Sequence, residues 1–204
     1  MDRQEYLNQI SAVNRPAKKS KTSFFASKFF WVGAIGVTVL ILIILIGAIL
    51  GNGKTSDKDK MFGLILHIDN TSELIETYQP NVKSSDLRSY SASLYGVLSN
   101  TSKELTDYAT EKYNYKAKDA KESIAEEETT AKDELESELF EAKINGILDR
   151  IYTHKMAYEI SLITTREAQL LKSANNDTLK EILTTSYDSL ENLYDKFNDF
   201  SEAN

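Results

Sequence analysis

Several residue types are scarce in this 204-residue chain, which has no cysteine, two prolines, eight glycines and two histidines. Without cysteine the chain has no disulfide, no thiol nucleophile, no cysteine ligand for zinc and no lipid-modified cysteine anchor. Proline and glycine interrupt helices, so their scarcity indicates long helices joined by few turns. A domain without such covalent or metal cross-links must be held together by its apolar core.

The two histidines do not form the metal motif that helical bundles carry. A di-iron bundle needs Glu-x-x-His on two of its helices, but Leu64 and Ile151 stand three residues before His67 and His154. We therefore predict that both are surface or boundary histidines rather than ligands. No serine lies within a nucleophile motif either. The sequence predicts no catalytic residue, no metal and no cofactor.

One long apolar stretch is present, from Phe29 to Leu50, and it contains no charged residue. A helix of this length spans about 33 Å, enough to cross a hydrocarbon core of about 30 Å. Phe29 and Trp31 lie at its N-terminal edge, where aromatic residues favour the membrane interface. The sequence therefore predicts a transmembrane helix at residues 29–51 in contact with the lipid bilayer, the alternative being a buried core helix.

The charge on either side of this stretch differs in sign. Residues 1–28 have six basic and two acidic residues, a net charge of +4, whereas the residues beyond the stretch have 18 basic and 29 acidic residues, a net charge of −11. Positive charge next to a span favours the cytoplasmic side. We predict a single-pass cell-membrane protein with a cytoplasmic tail at 1–28 and an acidic extracytoplasmic domain. This acidity disfavours nucleic acid as a partner.

The span is interpreted as an uncleaved signal anchor, because its apolar region exceeds the usual length of about 7–15 residues in a signal peptide. Cleavage at the small residues 51–53 is the alternative. Residues 48–55 read AILGNGKT, which matches a loose phosphate-binding loop, but such a loop needs a preceding buried strand, so we interpret the match as chance. Gly47 and Gly51 form a G-x-x-x-G pair, a candidate helix–helix contact for a homodimer.

After a polar linker at 52–60, the sequence predicts a helical domain at 61–204. Apolar residues recur at steps of three and four, and no segment alternates with the period of a strand. Helix boundaries are indicated at Pro80, at 84–86, at 145–146, and at Asn176 or Asp177. The pattern predicts an all-α fold in which an antiparallel bundle of four to five helices follows the transmembrane helix.

The segment at 116–138 differs from the rest of this domain because it is rich in charge and its apolar residues are mostly alanine. Its composition favours a helix, and its thin apolar stripe predicts that the helix protrudes or packs loosely. We interpret the run at 126–128, three glutamates, as a solvated face. If a partner exists, this helix is where it binds or where two copies meet. The alternative is a surface helix without a partner.

Three parts of the domain resemble a known family. The three segments are SSDLRSYSASLYGVLSNTSKELTDYA at 84–109, LDRIYTHKM at 148–156 and NDTLKEILTTSYDSLENL at 176–193. They are similar to segments of a ferritin-like family of exported bacterial helical-bundle proteins with no settled function. The resemblance implies a ferritin-like bundle. That family's histidines align with Leu98, Ile160 and Leu193, which are aliphatic here. The resemblance therefore implies that any polar or metal site has been filled with hydrocarbon.

Three hypotheses for function follow from this sequence. The first is a non-catalytic binding or scaffolding module of the cell envelope, anchored in the membrane, with an envelope protein or a second copy as its partner. The second is a ferritin-like metal-linked or redox protein, which the missing ligands disfavour. The third is a sensor or ligand-binding ectodomain, which the short cytoplasmic tail disfavours because it leaves no room for an output domain.

Overall fold

The computed structural model describes residues 56–116 and 122–203, and every regular element within them is helical. These ranges contain five α-helices and one 3-10 turn, Gln79–Asn81; the helices are α1 Asp57–Tyr78, α2 Ser85–Tyr113, α3 Glu122–Ile144, α4 Leu148–Ser173 and α5 Asp177–Ala203. The prediction of an all-α bundle is confirmed.

The predicted transmembrane helix at 29–51 lies outside the described residues. The same holds for Phe29, Trp31, Leu50 and the candidate contact between Gly47 and Gly51. Within the described ranges, none of the helices combines the length and the apolar character that a membrane span needs. The anchor therefore stays a prediction.

Polar side chains cap the start of three helices, and the sequence indicates two of these caps. Ser84 Oγ accepts a hydrogen bond from the Leu87 backbone N–H, and Asn176 Oδ1 accepts one from Leu179. Ser56 caps α1 in the same way, so α1 begins inside the predicted linker. Each cap satisfies a backbone donor that the first turn would otherwise leave free.

The break between α3 and α4 falls where asparagine and glycine follow each other. Gly146 has a φ of +72°, a left-handed conformation that costs glycine little and that residues with a Cβ rarely adopt. The predicted break at 145–146 is confirmed. Helix α1 ends at Tyr78, immediately before the 3-10 turn that contains Pro80.

Four of the helices form a ring in the order α1, α2, α5, α4, and each helix packs against its two neighbours. Neighbours in the ring run antiparallel. For example, Gln79, in the turn after α1, bonds to Arg88 at the start of α2, and Tyr90 near the start of α2 packs beside Phe197 near the end of α5. The ring encloses one apolar core. Leu98, Ile160 and Leu193 are all buried in it.

Helix α3 lies outside this ring, against α1 and α4. It runs parallel to α1, because Glu128 meets His67 while Glu136, two turns later, accepts a hydrogen bond from Tyr78 at the end of α1. In the described part of residues 116–138 the predicted protrusion is wrong, because the helix packs against α1 and α4, but its burial is thin, with Glu128 and Leu135 as the buried side chains among those described up to residue 138. Helix α3 carries the chain from the end of α2 to the start of α4, as a crossover connection does in some four-helix bundles.

Candidate functional site

Four charged side chains meet between α1, α3 and α4 in the middle of the packed helices. Nδ1 of His67 lies 2.7 Å from Oε2 of Glu128, and Nε2 of the same ring lies 2.9 Å from Oε2 of Glu159. Nη1 of Arg166 lies 2.5 Å from the other carboxylate oxygen of Glu128. The His67, Glu128 and Glu159 side chains are 7%, 6% and 9% exposed, so water solvates none of them fully. We call these four residues the His67 cluster.

The two carboxylates determine the charge of His67. Burial and the nearby Arg166 lower the pKa of the imidazole, but the hydrogen bond to Glu128 and the contact with Glu159 outweigh them and raise the pKa above its ordinary value. The Nε2 contact lies off the line of a hydrogen bond and acts as an ion pair. Both ring nitrogens face a carboxylate oxygen, an arrangement that suits the imidazolium form, which carries an N–H on each nitrogen.

Glu128 is ionised for a related reason. Burial raises the pKa of its carboxyl group, but the hydrogen bond to His67 and the charge of Arg166 together lower the pKa below its ordinary value. Basic and acidic groups alternate in the His67 cluster, because Glu128 lies between His67 and Arg166, and His67 lies between Glu128 and Glu159. A balanced set of this kind can remain buried because each charge has a partner.

A cleft of about 220 Å³ leads from the surface to the His67 cluster. Its walls are partly apolar, formed by Leu74, Leu135 and Leu162, and it also exposes Tyr158. Two ion pairs lie near its mouth, Lys155 with Glu138 at 2.5 Å and Lys132 with Glu73 at 2.6 Å. The cleft is the place where a small molecule could reach buried charged groups.

The geometry of the His67 cluster does not suit a single metal ion. The two nitrogens of His67 point in different directions, each toward its own carboxylate, and Arg166 takes up the second oxygen of Glu128. A metal ion needs donor atoms that converge on one point. Within the part of the chain that the structure describes, no group of three or more histidine, aspartate or glutamate side chains has such a geometry.

A second polar group lies inside the ring itself and joins three helices. Thr101 Oγ1 on α2 donates to Ser186 Oγ on α5 at 2.9 Å, and Ser186 donates to Glu167 Oε1 on α4 at 2.6 Å. Glu167 is fully buried, and its Oε2 has no hydrogen-bond partner. Burial raises the pKa of Glu167 to about 8, and the bond from Ser186 offsets only part of this. The carboxyl group is therefore neutral at pH 7.

Arg166 and Glu167 are consecutive residues that serve different sites. In a helix, successive side chains point about 100° apart, so Arg166 faces α3 while Glu167 faces the ring core. Helix α4 is therefore buried on two sides, and it supplies residues to both polar groups.

The structure corrects two predictions about these residues. His67 was expected at the surface or boundary, but it is 5% exposed; His154 is exposed, as expected. Glu126 and Glu127 are solvated as predicted, whereas Glu128 is buried. The sequence does hold one signal for His67, because the run FGLILHI places it among apolar residues.

Glu159 and Arg166 also have a spacing that could have indicated the site. They lie seven residues apart, two helical turns, and therefore share one face of α4. Neither carries a motif that would have identified the other members of the cluster. No protein-family model matches this chain, and no curated protein or solved structure matches it either.

Proposed function

We propose that this protein is a membrane-anchored, extracytoplasmic helical bundle with a non-catalytic binding or scaffolding role in the cell envelope. One observation carries the binding role, an exposed apolar patch where α3 turns into α4. Phe140 is 55% exposed, Ile144 68% and Ile147 39%. Large exposed apolar residues that lie together favour an interaction site. We call these three residues the hairpin patch.

The hairpin patch lies at the end of the bundle opposite to Ser56. Helices α1 and α3 run parallel, and the patch is at the C-terminal end of α3. Its chemistry favours an envelope protein with an apolar surface as the occupant. An anionic lipid surface is disfavoured, because the residues beyond the apolar stretch carry a net charge of −11.

The ferritin-like resemblance is consistent with this proposal at the level of connectivity. Ferritin-like bundles have one long crossover between their second and third ring helices, and α3 takes that position here. The burial of Leu98, Ile160 and Leu193 in the apolar core favours a binding role over the metal-linked alternative.

The hairpin patch can be tested by replacing Phe140 and Ile144 together with serine in the full-length chain. Both side chains are largely exposed, so the free energy of unfolding is expected to change by only about 0.5 kcal/mol per substitution. We expect the double variant to lose a specific cross-linked envelope partner that the wild-type protein captures in intact cells, because the partner's apolar contact is removed.

The matched control for this test is Tyr95→Ser, which removes an exposed aromatic side chain from α2, away from the hairpin patch. The control variant should keep the partner. Retention of every partner by the Phe140 and Ile144 double variant contradicts the proposal. Loss of a cross-link between two copies of the chain would instead identify a homodimer interface.

The proposed orientation can be tested because the chain lacks cysteine. Glu126→Cys places a single thiol on the exposed face of α3, and Ser11→Cys places one in the basic tail. A membrane-impermeant maleimide applied to intact cells should label position 126 but not position 11, because only the domain would lie outside. Permeabilised cells, in which both positions should react, are the control. Labelling of position 11 alone in intact cells contradicts the orientation.

A further inference from the structure

The two halves of α3 are held on the bundle by different forces. In the C-terminal half, apolar side chains are buried, namely Leu135, Leu139 and Ala142. In the N-terminal half, residues 122–131, Glu128 is the buried side chain among those described, and Ile124 is half-buried beside Gly63. A charged contact therefore holds this half of the helix where apolar contacts hold the other.

The groups that receive Glu128 all belong to α1 and α4. Nδ1 of His67 and Nη1 of Arg166 each contact one oxygen of the carboxylate, and Asn70 Nδ2 donates to the backbone carbonyl of the same residue at 3.0 Å. These donors have further partners of their own. Nε2 of His67 lies against Glu159, and Arg166 also donates to the carbonyl of Gly63. Contacts that do not involve α3 therefore help to position the receiving groups.

The charge of the receiving groups favours an anion. Without Glu128, Nδ1 of His67 and Nη1 of Arg166 have no carboxylate between them, and Arg166 carries a permanent positive charge. Two N–H donors that approach the two oxygens of one group match the shape of a carboxylate. The cleft gives access from solvent, and its Leu74 and Leu162 walls would accommodate a methyl group or a short alkyl chain.

We propose that His67 and Arg166 form a binding site for a small monocarboxylate, which the Glu128 side chain fills from within the chain. Glu128 acts as an internal ligand that holds residues 122–131 on the bundle. A free carboxylate of the size of acetate can replace the Glu128 carboxylate when this half of α3 moves away. This site is independent of the hairpin patch, so either proposal can fail without the other.

The test uses the full-length chain in detergent with Glu128→Ala, and acetate as the probe. The substitution removes the internal carboxylate and leaves a space of similar size. We expect amide exchange in residues 122–131 to become roughly tenfold faster than in the wild-type protein, the factor that corresponds to about 1.4 kcal/mol. Acetate should slow this exchange and raise the melting temperature in a saturable manner, because a ligand that binds only the folded state stabilises it.

Three controls make the result specific. Chloride at equal ionic strength should not reproduce the acetate effect. Glu128→Gln keeps the space filled, so acetate should have no effect on it, although its exchange in 122–131 should still be faster than in the wild-type protein. Adding Arg166→Met to Glu128→Ala should abolish the acetate response, because one of the two donors is lost.

An equal response to chloride and acetate would overturn the proposal, as would an acetate response that survives Arg166→Met. If Glu128→Ala folds only when acetate is present, the proposal is supported. If it does not fold in either salt, Glu128→Gln decides the question. Exchange in residues 122–131 of that variant at the wild-type rate would show that the charge of Glu128 does not hold the helix.

Discussion

Replacing Glu167 with glutamine is expected to stabilise the protein at neutral pH. Glu167 is fully buried in the ring core, and burial raises the pKa of its carboxyl group to about 8. In the unfolded chain the same group ionises freely at neutral pH, which favours unfolding. Glutamine cannot ionise in either state, and its amide oxygen can still accept the hydrogen bond from Ser186. Avoiding ionisation in the unfolded chain is worth on the order of 2–3 kcal/mol at pH 7, from about 1.36 kcal/mol per unit of pKa shift. The buried amide N–H groups, which meet no partner at the position of Oε2, offset part of this gain.

The sign of this effect sets its pH dependence. Because the folded pKa of Glu167 is raised, its contribution to stability is fully present below the unfolded pKa of 4.5 and is lost as pH rises toward about 8. Between these values the folded state binds more protons than the unfolded state. The stability of the wild-type protein should therefore fall across this range, and Glu167→Gln should flatten that slope.

Chemical denaturation of the full-length chain in detergent at several pH values measures both effects. Glu181→Gln is the matched control, since Glu181 is exposed on α5 and its replacement should change stability by only about 0.5 kcal/mol. If the stability of the wild-type protein and that of the Glu167→Gln variant change equally with pH, Glu167 ionises normally in the folded state and the prediction is wrong.

Replacing His67 with leucine is expected to have the largest destabilising effect. The substitution removes the imidazole between Glu128 and Glu159 and leaves two buried carboxylates, of which only Glu128 keeps a partner in the cluster, Arg166. Removing one member of a buried charge network typically costs about 3–5 kcal/mol. His154→Leu is the control, because His154 is exposed on α4 and its replacement should cost only about 0.5 kcal/mol.

Acid should partly restore the His67→Leu variant, because protonation of the unpaired carboxylates removes their charge. The wild-type protein should behave differently. The pKa of its His67 is raised, so the stability that this residue contributes is present below about 6.5 and is lost as pH rises through the raised value. Denaturation at neutral and mildly acidic pH measures these trends. Equal costs for His67→Leu and His154→Leu would contradict the role assigned to the His67 cluster.

The sequence predicts the helix boundaries well because local chemistry determines them. Ser84 and Asn176 cap helices through bonds to backbone groups three residues away, and Gly146 adopts a conformation that few other residues tolerate. Each of these signals lies within a few residues of the feature that it predicts. A single sequence is sufficient to interpret such signals.

The His67 cluster could not be predicted in this way, because its members are far apart in the chain. Glu128 is 61 residues from His67, and 38 residues from Arg166. Local composition around Glu128 indicates a solvated helix, and it does so correctly for the two glutamates before it. A charged side chain is buried only if partners meet it, and the positions of those partners depend on the packing of three helices.

Glu167 illustrates the same difficulty within one helix. It follows Arg166 directly, and a pair of opposite charges in a helical segment usually indicates a solvent-exposed face. Helix α4 packs against α1 and α5 in the ring and against α3 outside it, so the two side chains face different neighbours. A helix with several neighbours has no wide polar face, and its apolar periodicity does not show which polar residues point inward.

The order of helices around the ring has a consequence for the nascent chain. Helix α2 packs against α1, which precedes it, and against α5, which is separated from it by all of α3 and α4. Two parts of α2 are covered only after α5 has been synthesised. One is the face that carries Thr101, which bonds to Ser186, and the other is Tyr90, which packs beside Phe197. Until then the hairpin of α1 and α2 carries an uncovered apolar stripe, and a chaperone would encounter it in that state.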